Sequence, residues 1–379
     1  MNSLGLYIHI PYCLHKCGYC DFNSHPIQRE EMDSYVEAIF LEMAHYAARF
    51  PSKPRLASIF LGGGTPTTLP AVSLENILSQ CARHFPLAPD CEITLEANPA
   101  TIEVGTLKKL RAAGYNRISI GVQSFDENEL RRLDRVHGVD EIHTTVDRAR
   151  EAGFDNLSMD LMFGLPDQTP ARWEDHLNQA LAKNPEHLST YNLTVEPGTA
   201  FFKQQERGKL QLPPEETQLQ LYRKTIEVLE AAGYSHYEIS NFCRPGRECR
   251  HNLTYWQNGE TLGLGAGASS FLNGVRFKNF NPPARYIREV RQRGTAVEFS
   301  ETLPPRRAMG ETLMLGLRLL QGIPIPAFEK RFRTSFESVY GKVVSALQEK
   351  DLIHKDRDRI ALTRKGLFLA DSVILEFIA

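Results

Sequence analysis

From residue 4 to about residue 237 the hydropathy pattern alternates between two kinds of segment. Short apolar runs, rich in leucine and β-branched side chains, recur as LYIHI (6–10), ASIFLGG (57–63), EITLEAN (92–98), RISIGVQ (117–123), LSMDLM (157–162) and LSTYNLT (188–194). Their length and composition predict buried strands. Between them apolar residues recur at helical spacing over 32–49, 72–84, 103–113, 126–133, 139–152, 171–183 and 215–232. Three of these segments close on a glycine, Gly114, Gly153 and Gly233, where a helix C-terminus is expected. Strand–helix alternation predicts a mostly parallel α/β sheet with right-handed crossovers, and six such units curl into a partial (β/α)6, TIM-like barrel. Closure into eight units is the alternative, for which the chain shows too few strands.

After Asn241 the pattern changes. Residues 241–304 are rich in Gly, Asn, Arg and aromatics, with LGLGAGASSF (262–271) as one strand–turn unit. Helical patterns return over 306–320, 325–332 and 336–350, followed by two short strand-like pieces around Arg357 and Asp358 and a last helix over 364–377. Three parts are expected: a barrel over 1–240, a linking segment over 241–304 and a small helical, winged-helix-like module over 305–379.

Charge and cysteine usage narrow the function. A net charge of -2 gives no basic footprint for nucleic acid, so the C-terminal module is expected to pack or cover rather than bind DNA. No apolar run approaches the roughly 18 residues of a membrane span, and no secretory signal pattern opens the chain. Seven cysteines, three of them crowded together, argue against a disulfide framework and for a reducing cytoplasm. No G-x-S-x-G or H-E-x-x-H pattern supports a hydrolase.

The crowded cysteines are Cys13, Cys17 and Cys20 in YIHIPYCLHKCGYCDFNSH, spaced C-x3-C-x2-C directly after the first predicted strand. Thiolates suit zinc or iron–sulfur clusters. A closed zinc site needs four ligands, which His9, His15 or His25 could complete. Three thiolates alone suit a four-iron cubane whose fourth iron stays open to a further ligand. Other residues carry chemistry of their own. The glycine run of LGGGTPT (61–67) allows a ligand to approach the backbone, and without a following Gly-Lys-Ser/Thr it is not a P-loop. Glu96 in TLEANP ends the third strand, on the rim where β/α barrels collect functional groups. Asp160 lies inside an apolar strand, where an unpaired carboxylate is costly.

The cysteine spacing after an opening strand resembles the radical S-adenosylmethionine (SAM) superfamily. YIHIPYC and the later motifs resemble its oxygen-independent coproporphyrinogen oxidase branch over nearly the whole chain. The resemblance implies a [4Fe–4S] cluster on Cys13, Cys17 and Cys20, with SAM at the open iron. It implies SAM contacts from Tyr7, Tyr19, Gly63, Gly64, Thr65, Glu96, Gln123 (in GVQSF), Arg135 (in LDRVH) and Asp160. Two departures separate the chain from the oxidases: Phe22 stands where they add a further cysteine, and only six residues precede Tyr7. RHNLTYW (250–256) instead matches an H-N-x-x-Y-W motif typical of a haem-carrying group in that branch. There His251, read as a loop residue, is expected to ligate haem iron, with Tyr255 and Trp256 against the macrocycle and Arg244, Arg247 and Arg250 near the propionates. The implied function is a haem chaperone that delivers haem to haem-requiring respiratory proteins. The alternative is anaerobic coproporphyrinogen III decarboxylation or another SAM-dependent radical reaction. Peripheral membrane contact and a homodimer are further expectations of this reading, and no catalytic side chain is assigned.

Overall fold

In the computed structural model, which describes residues 3–99 and 101–378, six strands lie parallel and adjacent in one twelve-stranded sheet. They are Ser3–Ile10, Arg55–Gly63, Leu87–Ala97, Arg117–Gln123, Leu157–Phe163 and His187–Asn192, in chain order. Helices Arg29–Ala47, Ala71–His84, Val104–Ala113, Val139–Glu151 and Pro170–Ala182 make the crossovers between them. The expected strand–helix alternation is therefore the architecture, an α/β half-barrel of six units. No ladder joins the outermost strands, Val297–Thr302 and Ser235–Glu238, among the described residues, so the barrel stays open.

The two faces of these strands differ sharply. Leu6, Ile8, Ile59, Leu61, Leu95, Ile118 and Ile120 point one way, and all are fully buried against the helical layer. The alternate positions carry mostly polar or small residues, with Phe60 and Met162 as exceptions, and the register places them side by side. Glu96 stands opposite Ser119, Gly121 opposite Asp160, and Asp160 opposite Ser189. Period-2 alternation thus gives the barrel an apolar outside and a polar inside.

Residues 241–304 are not an irregular linking stretch. Thr261–Leu264 pairs in parallel with the first strand, and Ser269–Leu272, Val275–Asn279 and Val297–Thr302 continue the same sheet antiparallel. Two helices also stand there, Arg250–Trp256 and Pro283–Arg293. The strands are four to six residues long and interrupted by glycine turns, which hides their alternation in the sequence. The C-terminal segment builds a separate core around Leu313, Phe328, Phe336, Tyr340 and Phe377. Its helices carry a three-stranded sheet of Ile323–Pro324, Arg359–Leu362 and Ile353–Lys355. It joins the barrel edge through backbone bonds from Ile239 N–H to the Arg318 carbonyl (3.2 Å) and from Leu320 N–H to that of Tyr237 (3.1 Å).

One buried carboxylate locks the added strands to the barrel. Glu42, on the inner face of helix Arg29–Ala47, is fully buried. Its Oε2 accepts from Gly265 N–H (3.0 Å) and the Tyr286 hydroxyl (2.7 Å), and its Oε1 from Asn279 Nδ2 (2.8 Å). Burial pushes its pKa up to about 7 against the pull of these donors. A folded-state value above the unfolded one means that the stabilisation is full below the unfolded carboxylate range and is lost as pH rises through about 7. Glu42→Gln should cost about 1–3 kcal/mol near pH 5, through weakened bonds to three buried donors. The gap should then narrow as pH rises from about 5 to about 7 and stay level above that. Urea midpoints for both proteins across pH test this; parallel profiles would remove Glu42 from the pH dependence.

Candidate functional site

The three cysteines lie in a loop whose two ends are tied together. Tyr12 and Cys13 pair with His25 and Pro26 in a two-residue parallel ladder, and His25 N–H donates to the Pro11 carbonyl at 2.7 Å. A turn with Cys20 N–H on the Cys17 carbonyl (3.1 Å) brings the later thiols back toward the first. Cys13, Cys17 and Cys20 all border one cavity of about 360 Å³ at the C-terminal ends of the parallel strands. Among the described residues no three His, Cys, Asp or Glu side chains converge closely enough to hold a single ion. Three thiols spread around a cavity suit a polynuclear cluster, in which each thiolate meets a different iron, better than a closed zinc site.

The glycine run forms the next wall. Gly64 N–H donates to the Ile10 carbonyl (2.8 Å) and Thr65 N–H to that of Tyr12 (2.7 Å), so the run folds directly onto the cysteine loop. A Cβ on Gly64 would come within 2.8 Å of the Tyr12 carbonyl oxygen and 2.9 Å of that of Ile10. Neither backbone atom can yield cheaply. Gly63 takes a φ of +114°, open to glycine alone, and its N–H donates to Glu96 Oε2 at 3.0 Å.

A polar relay then links three strand ends to two of the thiols. The Thr65 hydroxyl donates to Cys13 Sγ (3.5 Å) and accepts from Asn98 Nδ2 (2.8 Å). Asn98 Oδ1 accepts from Arg135 Nη2 (2.6 Å), which also donates to the Gly121 carbonyl (2.7 Å), while Nη1 reaches Cys17 Sγ at 3.7 Å. Burial raises the Cys13 and Cys20 thiols, so a bound cation is what would draw off their protons. The donor set, the glycine cradle and the relay fit a cluster with an open position.

Two carboxylates face the same space. Burial, and then the neighbouring Asp160, push Glu96 up to about 7. Asp160 is also raised by burial, although the Ser119 hydroxyl donates to both of its oxygens at 3.2 and 3.3 Å. Such a pair favours a ligand that brings hydrogen-bond donors or positive charge. Gln123, at the end of its strand, holds a φ of +68°, a costly backbone state for a residue with a Cβ. Tyr19 completes the wall, its ring edge-on to Phe201 at 6.2 Å.

Of the residues singled out from the sequence, Cys13, Cys17, Cys20, Tyr19, Gly63, Gly64, Thr65, Glu96, Gln123, Arg135 and Asp160 share this cavity. Tyr7 does not. It lines an adjoining cavity of about 600 Å³, with its hydroxyl 2.9 Å from His9 Nδ1. Sequence reasoning missed Asn98 and Ser119. Their signal lay in the polar member of each period-2 pair, as in the Arg117, Ser119, Gly121, Gln123 series of RISIGVQ.

His251 departs most from expectation. It sits in helix Arg250–Trp256 rather than in a loop, and it is 1% exposed. Nδ1 pairs with the Ser58 hydroxyl (2.9 Å), Nε2 with that of Tyr255 (3.0 Å), and the ring stacks on Phe60 at 5.2 Å. Burial, then Arg117, lower its pKa to about 3. Glu92 caps this helix by accepting from the backbone N–H of Arg250 (3.1 Å) and of His251 (3.2 Å). The motif therefore packs into the barrel interior, where its Tyr255 lines the adjoining cavity and neither imidazole nitrogen of His251 is open to iron. The arginines are engaged as well: Arg244 donates to the Ala232 carbonyl (2.7 Å), and Arg250 pairs with Asp90. Trp256 lies outside the barrel, under the Arg318 guanidinium at 4.5 Å.

Gly64→Ala should lower stability by about 1–3 kcal/mol and displace the cysteine loop. Gly105→Ala, on an exposed helix where the added Cβ meets nothing within 4 Å, should be neutral or slightly stabilising. Thermal melts of both variants, with iron uptake on anaerobic reconstitution, check the contrast. A Gly64→Ala protein that melts and loads like wild type would remove the cradle constraint.

The family model of the radical SAM superfamily matches residues 7–180, and that of the HemN C-terminal domain matches residues 303–369. A Bacillus subtilis protein named heme chaperone HemW is 39% identical over 373 residues, covering 98% of both chains. The protein of the same name from Lactococcus lactis is 37% identical, covering 98% of this chain and 96% of its own. Among solved structures, Escherichia coli coproporphyrinogen III oxidase (HemN), described as a radical SAM enzyme, superposes with a TM-score of 0.87 at 26% identity, over 100% of this chain and 90% of that one. A barrel whose strand ends gather three thiols, a glycine cradle and paired carboxylates, carried by a sequence this similar along its whole length, belongs to the radical SAM superfamily and, within it, to the family of heme chaperone HemW proteins.

Proposed function

We propose that the protein carries haem to haem-requiring proteins, and that its 360 Å³ cavity holds a [4Fe–4S] cluster on Cys13, Cys17 and Cys20 with SAM at the open iron. The observation that carries the cofactor reading is the convergence of three thiols, the glycine run and the Thr65–Asn98–Arg135 relay on one cavity. The cargo reading rests on the relatives named for it.

When bound, the cluster supplies the single electron that cleaves the sulfonium of SAM. The chain's own groups bind and orient. Gly63 and Gly64 bring backbone close to the methionyl end, and Glu96 accepts from its ammonium group. Asp160, steadied by Ser119, accepts from ribose hydroxyls. Arg135 fixes Asn98 and neutralises charge near the Cys17 thiolate. Recipients among respiratory proteins would be met as separate molecules; no described helix is long and apolar enough to cross a membrane. Work inside a reducing cytoplasm accords with seven free thiols.

Coproporphyrinogen decarboxylation is the second reading, favoured by the structural likeness to HemN. Against it stands Phe22, exposed at 64% on the cavity rim in place of the oxidases' extra cysteine.

Anaerobic reconstitution should give four irons and four sulfides per chain, and Cys20→Ser should lose the cluster. Glu96→Gln and Asp160→Asn should keep iron and sulfide but lose reductive SAM cleavage by about a hundredfold or more. Retained cleavage would count against both assignments. On the same wild-type preparation, haemin should give a protein-bound Soret band and coproporphyrinogen III should stay intact. Decarboxylation without haemin binding would reverse the order of the two readings.

A further inference from the structure

The 600 Å³ cavity that contains Tyr7 lies beside the cysteine cavity and shares with it Lys16, Asp21, Phe22, Ser24, Gly63 and Glu96. Its volume falls within the roughly 300–1,000 Å³ of small-molecule and cofactor sites. It is walled by the aromatic side chains Tyr7, Tyr255 and the exposed Phe22. Two ammonium groups also line it. Lys16 Nζ donates to the Phe22 and Ser24 carbonyls (3.2 and 3.3 Å), and Lys278 is exposed. Neither is ion-paired with a carboxylate among the described residues. The space thus offers a flat ligand aromatic faces and two ammonium groups for its acidic substituents, alongside the carboxylates of Asp21 and Glu96.

Two histidines line this cavity, and they differ in one respect. Both ring nitrogens of His9 are taken, by the Tyr7 hydroxyl (2.9 Å) and the Asn23 carbonyl (2.8 Å). His25 uses only Nε2, which pairs with Asn23 Oδ1 at 3.1 Å. The orientation of the Asn23 amide is fixed, because its Nδ2 donates to the carbonyls of Ala266 (3.0 Å) and Asn281 (2.9 Å), which can only accept. Oδ1 therefore faces His25, Nε2 carries the proton, and Nδ1 is left with a free lone pair. No hydrogen bond engages Nδ1 among the described residues. An imidazole held in one tautomer by a bond to its other nitrogen is the arrangement metal-ligating histidines adopt. Partial burial and the neighbouring Lys16 lower the pKa of His25, which keeps the ring neutral near pH 7.

We infer that this second cavity is the haem seat, with His25 Nδ1 as axial ligand to the iron, Asn23 as its positioning residue and Lys16 and Lys278 as partners of the propionates. The inference rests on the haem-carrier reading and assigns its ligand to His25 instead of His251. It places the cargo against the cofactor cavity, with Phe22 and Glu96 between them.

Anaerobic titration of the full chain with haemin, followed by Soret absorbance, tests it. His25→Ala should shift the Soret maximum and weaken binding by about tenfold or more, the scale on which disturbed metal sites lose affinity. Added imidazole should restore the band in His25→Gly. Lys278→Gln should leave the spectrum unchanged and weaken haemin by roughly two- to fivefold, as an exposed ion pair does. It should have no effect on haemin dimethyl ester. Iron and sulfide content and far-ultraviolet circular dichroism of the His25 variants verify that loop and fold survive. The exposed Lys278 variant tests the same seat without touching the loop. If wild type binds haemin and the His25 variants keep both spectrum and affinity, His25 is not the ligand and the carrier reading stands. Lys278→Gln indistinguishable from wild type for both haemin and its ester would remove the propionate partner and with it the seat. If wild type binds no haemin, the carrier reading fails first.

Discussion

A half-barrel that turns a polar face inward must pair what it buries. Arg117 tests the constraint most severely, since its buried Nε has no hydrogen-bond partner and only nearby negative charge offsets its burial. It is 2% exposed in the middle of the sheet, where a guanidinium alone would be prohibitively costly. Burial opposes its charge, yet the Cys249 thiol and the Glu92 and Asp160 carboxylates hold its pKa above the ordinary value. Glu92 in turn caps helix Arg250–Trp256, and Asp160 in turn faces the cysteine cavity with Glu96. The buried cation thus lies within electrostatic reach of both the carboxylate that caps RHNLTYW and one that faces the thiol cavity, without a hydrogen bond or ion pair to either among the described residues.

This division of labour explains why so many strand-end residues serve one site. The outward positions satisfy the helical layer with leucine, isoleucine and valine, and so hold the strands in register. The inward positions are then free to be Ser, Gly, Gln, Asp or Glu, provided that hydrogen bonds replace lost water. Thr65, Asn98 and Arg135 come from three separate strand–helix units, yet each finds its partners in the others. A change in any of them disturbs a wall shared by all.

The strands and crossover helices were legible because length, branching and glycine caps agreed with one another along residues 4–237. The cysteines, the glycine run and Asp160 were legible as residue types placed where an ordinary core would reject them. What escaped notice was quieter. Asn98 and Ser119 look like common polar residues until register sets them beside Arg135 and Asp160. Residues 241–304 hold five short strands, of which the sequence showed only the strand–turn unit at 262–271. RHNLTYW spans barely two helical turns and lacks an N-capping side chain of its own, since the cap is Glu92, about 160 positions earlier. Its histidine was assigned from a motif resemblance together with ligand chemistry, and burial against Phe60 and Ser58 gives it a different office. Long-range partners decide such cases, and no local pattern encodes them.

The ladder of Tyr12–Cys13 with His25–Pro26 joins the two ends of the cysteine loop like the clasp of a bracelet. Whatever hangs on that bracelet cannot be moved one charm at a time. A shift that draws the thiols inward pulls the imidazole with them, and slackening at one end is felt at the other. Two pieces of iron chemistry, if both reside here, share one mechanical mounting, and their fates are joined by backbone geometry before any electron or proton is exchanged.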